Sequence, residues 1–182
     1  MGRKETIMSI ARSTNVAAAI GLGVIAGAAG GLAEIAWVSA YAAATGADAA
    51  ALARGVTIAA GTNAMLPNAP VLAGIAIHMV LAIALGLALA SAWQALARHR
   101  LGGSSLFLLV VAALAGVWAM NFLIVLPLLS PAFVQLIPYP VSLVSKLLFG
   151  VAAAETLRLC TVERASALTL AEARPVRATR PR

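Results

Sequence analysis

Four stretches of this sequence stay apolar for long enough to cross a lipid bilayer, and that property narrows the possible folds more than any other. A bilayer core about 30 Å thick takes about 20 residues of helix rising about 1.5 Å each. The runs extend from about 16 to 44, 71 to 96, 104 to 128 and 141 to 159. The first is broken only by Glu34 and small hydroxyls, and the second holds His78 as its one ionisable group. The third carries no charge and is expected to end at Pro127; the fourth contains Lys146 and, near its end, Glu155 and Arg158. All four read as helices, because a barrel strand needs only about ten residues and alternates polar with apolar. Composition agrees: 62% of residues are apolar and 10% charged, against about 45 to 50% and about 25% in a soluble domain. A soluble globule is excluded. The expected fold is an all-α integral membrane protein, a four-transmembrane-helix bundle over residues 1–160 with an outer interfacial segment. A basic cytoplasmic tail, 161–182, follows and is partly disordered.

Charge sets the expected orientation. Of the thirteen Lys and Arg, eleven flank the runs on one side: Arg3, Lys4 and Arg12 before the first, Arg98 and Arg100 between the second and third, and Arg158, Arg164, Arg174, Arg177, Arg180 and Arg182 at or after the fourth. Only Arg54 lies in the opposite loops. Cations are retained on the cytoplasmic side during insertion, so both termini are expected there, in a multi-pass protein of a bacterial-type inner (plasma) membrane. The same distribution argues against a nucleic-acid partner despite a net charge of +7, because the basic groups flank spans rather than form one face. Arg3, Lys4 and Arg12 ahead of an apolar run, with Ala40-Tyr41-Ala42 beyond it, resemble a secretory signal. The run is about twice the usual 7 to 15 residues and contains a carboxylate, which favours a retained span.

The first outer segment, Gly46 to Pro70, is long for a bundle connection and too apolar to lie free in water. Asp48 can cap a short helix reaching about Ala60, with Gly61, Thr62, Asn63, Pro67 and Asn68 breaking the chain before the second span. An interfacial helix and a lid over a site are both compatible with this. The second, Ser130 to Pro140, contains Pro131, Pro138 and Pro140 with Phe133 and Tyr139, and reads as a stiff loop with aromatic anchors. At the other end, Glu163 to Arg174 can extend the last helix, and Arg174 to Arg182 is expected to be disordered and drawn to anionic lipid.

Polar groups inside a bilayer cost several kcal/mol if unpaired, so their depth is informative. At about 1.5 Å per residue from the outer boundaries, Glu34 lies about 15 Å deep, His78 about 12 Å, Asn121 about 10 Å and Lys146 about 9 Å. One polar residue per helix falls in a common layer. Small residues mark where membrane helices approach closely. Gly23, Gly27 and Gly31 form a double G-x-x-x-G ridge with Glu34 one turn beyond it. Gly74, His78, Ala82, Gly86 and Ala90 recur at steps of four, as do Ser142, Lys146, Gly150 and Ala154. Asn121 joins the layer by depth alone.

Two readings of the layer stand side by side. In one it is a structural network, Glu34 paired to Lys146 with His78 and Asn121 satisfying the remaining polar atoms. In the other it responds to protons or ions, with Glu34 titrating, Lys146 as counter-charge, His78 as relay and Asn121 as an orienting partner. Metal centres are not expected, because the chain has two His and one Cys and zinc needs three or four ligands. Haem could use only His78 with Met120, since His99 lies in a cytoplasmic loop; no cofactor is expected. No phosphate loop, H-E-x-x-H, G-x-S-x-G or suitable carboxylate pair is present, so no enzyme is expected. The glycines at 27–31 lie inside a span and fit helix packing instead. Cys160, the single thiol, allows no disulfide within the chain.

The strings GIAIHMVLAIALG (74–86), WAMNFLIVLPL (118–128) and PVSLVSKLLFG (140–150) resemble the small four-helix bacterial inner-membrane proteins of uncharacterised, YagU-like type. The resemblance implies a compact four-span protein and assigns no site residue. Close-packing glycines, few loops and no catalytic inventory lead to the expectation of a non-catalytic integral membrane protein. It would serve as a small accessory or stabilising subunit beside other membrane subunits, or as a homo-oligomer in the lipid bilayer. The alternative is a small proton- or ion-coupled transporter, or an ion-responsive protein, built on Glu34, His78, Asn121 and Lys146.

Overall fold

A computed structural model describes residues 2–62, 64, 67–97 and 101–172. Arg98, His99, Arg100 and the tail from Arg174 lie outside the described residues, as do Asn63 and its place in the first outer segment. Among the described residues every regular element is helical: α1 (Gly2–Thr45), α2 (Ala49–Ala59), α3 (Pro70–Ala97), α4 (Gly103–Met120), a π turn (Asn121–Val125), α5 (Leu126–Leu129), α6 (Pro131–Val134) and α7 (Tyr139–Glu172). Four continuous helical stretches are long and apolar enough to cross a membrane: Ala17–Thr45, Pro70–Ala97, Gly103–Leu129 and Tyr139–Glu163. That is the build of a multi-pass membrane protein. Large apolar side chains such as Ile25, Leu32, Leu72, Val80 and Leu108 point outward around the bundle, an exposure soluble monomers rarely tolerate over wide patches.

Local chemistry fixes the element ends. α1 stops at Gly46, which has φ +74° and donates its N–H to the Ala42 carbonyl at 2.9 Å, the left-handed stop that glycine adopts without strain. Asp48 caps α2 by accepting from the Ala50 N–H at 2.8 Å and pairs with Arg54 at 2.6 Å. The hydrogen bond from Arg54 holds the Asp48 carboxyl below the usual carboxylate range, helped by backbone N–H groups. A lowered pKa means the cap keeps its contribution above the ordinary range and loses it only as pH falls through the lowered value. α1 begins at Gly2, well before the apolar run, because extending a formed helix through good helix formers is far easier than starting a new one.

The third span corrects an expectation. Pro127 does not end it; the helix continues to Leu129. Proline has no N–H and its ring clashes with the carbonyl four residues back. Here the turn ahead of it widens into π geometry, with the Leu126 N–H bonding the Asn121 carbonyl five residues back. A π turn of this kind absorbs the misfit without breaking the rod. The second outer segment likewise is more than a loop, since it contains α6.

The four spans form a bent row. α1 packs extensively on α3 and on α7, α7 packs on α4, and α3 barely touches α4 or α7. Glycines set the closest approaches. A Cβ at Gly27 would come within 2.5 Å of the Ala82 carbonyl oxygen, one at Gly23 within 2.7 Å of the Leu87 Cα, and one at Gly31 within 2.8 Å of the Ala82 Cβ. Gly86 sits directly on the Gly23 and Gly27 backbone, and Gly150 faces Leu114 and Val111 at 3.3 Å. Gly74 belongs to a different contact, against the Ala53 carbonyl of α2. Two glycines absent from the expected ridges also matter. Gly30 leaves room for the Phe149 ring, and Gly55 for Leu136 and Phe133.

The half of the bundle nearer the termini is solid. Leu22, Leu89, Trp93, Leu106, Leu114 and Leu157 fill it, each less than a tenth exposed. At the far end α2 is folded onto α3 and α6. Thr57 is fully buried there and donates its hydroxyl to the Pro70 carbonyl at 2.6 Å. Thr57→Val is expected to weaken this clasp by about 1 kcal/mol, the net contribution of the buried hydrogen bond it removes. Amide hydrogen exchange should show faster exchange in α2 while α1 and α7 stay protected; unchanged α2 protection would show that packing alone holds it.

Candidate functional site: a buried ion pair under a cavity

Glu34 lies three residues past Gly31, on nearly the same face of α1, so the face that brings α3 close also turns this carboxylate inward. It is only 5% exposed. α7 brings Lys146 to it, the ammonium nitrogen 2.8 Å from Oε1. The same ammonium sits 5.2 Å from the centroid of the Phe149 ring one turn on, a distance at which a ring face attracts a cation. Ser145 adds a long hydrogen bond, its hydroxyl donating to Oε1 at 3.5 Å.

His78 arrives from α3. Its Nε2 lies 3.7 Å from Glu34 Oε2 and 3.4 Å from the Gly31 carbonyl oxygen. Both neighbours are acceptors, so Nε2 is the nitrogen that carries hydrogen, a tautomer assigned from this network. Nδ1 is left as the acceptor in the neutral ring. The approach depends on Gly31, whose missing side chain admits Ala82 and Met79 of α3. Three of the four layer residues therefore meet, one from each of α1, α3 and α7. Among the described residues no buried side-chain nitrogen or oxygen is left without a partner, which is the condition under which buried charges are tolerated.

Asn121 departs from its expected role. It opens the π turn and lines the same cavity as the cluster, but makes no side-chain hydrogen bond among the described residues. The reason is the bent row: the third span is held by α7 and hardly meets α3, so a gap separates its wall from His78. Haem ligation by His78 with Met120 finds no support in placement, because Met120 is 56% exposed on the bundle surface and His78 lines the cavity. Glu155 and Arg158 pair with each other at 2.6 Å on the surface and stay apart from the cluster. Among the described residues no group of three His, Cys, Asp or Glu could hold a metal.

The gap is a cavity of about 570 Å³, within the range of sites for drug-sized molecules. Glu34, Lys146 and His78 form one polar side of it. Ile77 and Leu81 of α3 face Phe122 and Leu126 of the third span across it, while Leu52 and Val56 of α2 and Ile137 close the far end. Phe149 is completely buried and belongs both to the cavity lining and to the solid core. It is the partition between the hollow half and the filled half.

Ser145 went unnoticed in the sequence, and Ser142 was read only as a member of a small-residue stripe; both are buried. Ser142 accepts the Trp118 indole N–H at 3.0 Å and donates to the Tyr139 carbonyl at 3.0 Å. Trp118 stacks on Phe122 at 6.0 Å, and Tyr139 meets both rings edge-on at 6.3 and 6.5 Å. Trp37 donates its indole N–H to the Val141 carbonyl at 3.0 Å. Both indoles thus grip the first turns of α7, close to Lys146. Their signal in sequence was faint: a Ser or Trp in an apolar run is as readily lipid-facing as buried. Comparison with protein-family models, with curated proteins and with solved structures finds no match to this chain.

Proposed function

We propose that this chain is a small proton-responsive protein of a bacterial-type inner membrane, multi-pass with both termini cytoplasmic. It acts without catalysis, as a proton-coupled carrier or sensor. The observation that carries the reading is the placement of the Glu34–Lys146 pair and His78 beside an open volume rather than inside packed side chains. A purely structural pair gains nothing from an adjoining cavity. The groups facing Glu34 are His78 from α3 and Lys146 and Ser145 from α7, with uncharged Asn121 across the cavity. With the imidazole neutral, the cluster sums to zero charge. One added proton, wherever it settles, leaves a net positive charge out of water, where charge imbalance is costly. Such a step can drive a rearrangement. The topology rests on the positive flanks, and α2 with its apolar surface suits an interfacial position.

Trp37 and Trp118 report on the cluster because both are bonded to the first turns of α7. In lipid nanodiscs, their fluorescence should change in one sigmoidal step as pH is varied. The step should vanish in Glu34→Gln with the fold retained. A flat profile in the native protein would sink the proposal.

A second reading is an accessory or stabilising subunit, or a homo-oligomer. It is favoured by the third span, which packs mainly on α7 and exposes Leu108, Leu109, Met120, Leu123 and Ile124. The native mass of the gently extracted particle separates the two. Companion chains beyond multiples of 18.4 kDa would favour the subunit.

A further inference from the structure

We propose that the cavity between α3 and the third span binds an amphiphile with an uncharged, hydrogen-bonding head, a hydroxyl, carbonyl or amide on an apolar body. This rests on the reading of the Glu34 cluster as a working site, and names the class of molecule it serves. Three observations select that class.

The first is charge. The ionic groups in the cavity are already matched, Lys146 to Glu34 at 2.8 Å. A carboxylate or ammonium on the ligand would bring a charge with no counterpart into a cavity walled largely by apolar side chains, and such unpaired charges are strongly disfavoured. The second is hydrogen-bonding capacity. Asn121 lines the cavity with a carboxamide that has both donors and an acceptor and no partner among the described residues. His78, whose Nε2 is directed to acceptors on α1, keeps an acceptor at Nδ1. Together these groups meet a neutral head that both gives and takes a hydrogen bond. The third is the shape of the wall. Ile77, Leu81, Phe122 and Leu126 present apolar surface on the two sides of the gap, and the helices that carry them barely touch each other. In the membrane placement proposed above, that gap faces lipid, so an amphiphile can enter sideways without passing through water.

The test uses three probes with one tail and different heads: tritiated dodecan-1-ol, dodecanoate and dodecylammonium. Binding to the full-length protein in nanodiscs is measured at a single fixed pH, with excess unlabelled probe to define the saturable part. One molecule of dodecanol per chain is expected, bound at least tenfold more tightly than either ion. Val38→Phe, which pushes a ring into the cavity from α1, should remove the saturable part; Leu126→Phe does the same from the opposite wall, should either variant fail to fold. Asn121→Leu should reduce dodecanol binding about tenfold. Tighter binding of dodecanoate or dodecylammonium than of the alcohol would overturn the proposal. So would saturable binding that persists in both filled variants, or no saturable binding at all. A pH response without saturable binding removes the ligand class alone, and saturable binding without a pH response removes the proton reading alone.

Discussion

Lys146→Met should destabilise the folded bundle by about 3 kcal/mol, because it leaves the Glu34 carboxylate buried with no full counter-charge. The remaining neighbours do not substitute for the ammonium at 2.8 Å. Ser145 lies at 3.5 Å and the His78 ring at 3.7 Å, both beyond strong hydrogen-bond range. Glu34→Gln should cost less, since the displaced ammonium is less buried than the carboxylate, 18% against 7% side-chain exposure, and can turn toward the open cavity. Combining the two changes should recover most of the loss, as an uncharged pair of similar volume carries no desolvation penalty. Reversible unfolding in mixed detergent micelles gives the four stabilities of the cycle. A double variant as unstable as the sum of the singles would mean that the pair has no coupling and that its proximity is incidental.

The second large effect belongs to Gly86. A methyl group there meets the Gly27 nitrogen and the Gly23 carbonyl oxygen, both backbone atoms that cannot swing aside. α1 and α3 must separate along the whole ridge, opening the contacts at Gly23, Gly27 and Gly31 together. Gly86→Ala is expected to cost about 2 to 3 kcal/mol, at the upper end for overpacking. The displacement also draws His78 away from the Gly31 carbonyl, so the pH-dependent tryptophan signal should shrink as stability falls. Gly116→Ala is the control. Nothing lies within 4 Å of a Cβ at Gly116, and in a helix interior the change should be neutral or stabilise by up to about 1 kcal/mol. Equal effects at the two positions would show that helix propensity, not close packing, governs both.

The contrast between these glycines was partly legible beforehand. Gly23, Gly27 and Gly31 repeat at the spacing that puts them on one helical face, and so does Gly86 with Ala82 and Ala90. Glu34, His78 and Lys146 stood out because each is the lone ionisable group at its depth in an apolar run, and such groups must find one another. The cap at Asp48 was readable from a single polar residue before an apolar stretch. What the residues could not disclose is separation. A cavity is the difference between helix spacings, and nothing in the third span signals that it leans on α7 and away from α3. Asn121 was therefore grouped with residues whose cavity it lines but with which it does not bond. Pro127 misled for a related reason: the missing N–H predicts a break, while the wider π turn that accommodates it leaves no trace in residue type. Gly30 and Gly31 look identical in sequence. Only the packed structure reveals that one admits α3 and the other the ring of Phe149.

That ring gives the site a direction. Phe149, completely buried and shared by the cavity lining and the core, bounds the hollow half toward the termini. A carrier that discharges on the opposite side would have to swing this phenyl group out of the slot left by Gly30, and the slot has no spare room on the α1 side. Through-traffic would thus be limited by one side-chain rotation and the helix movement it demands. For the membrane carrier or sensor proposed above, a second door would mean dislodging a completely buried phenyl group that a Cβ at Gly30 would meet at 2.8 Å.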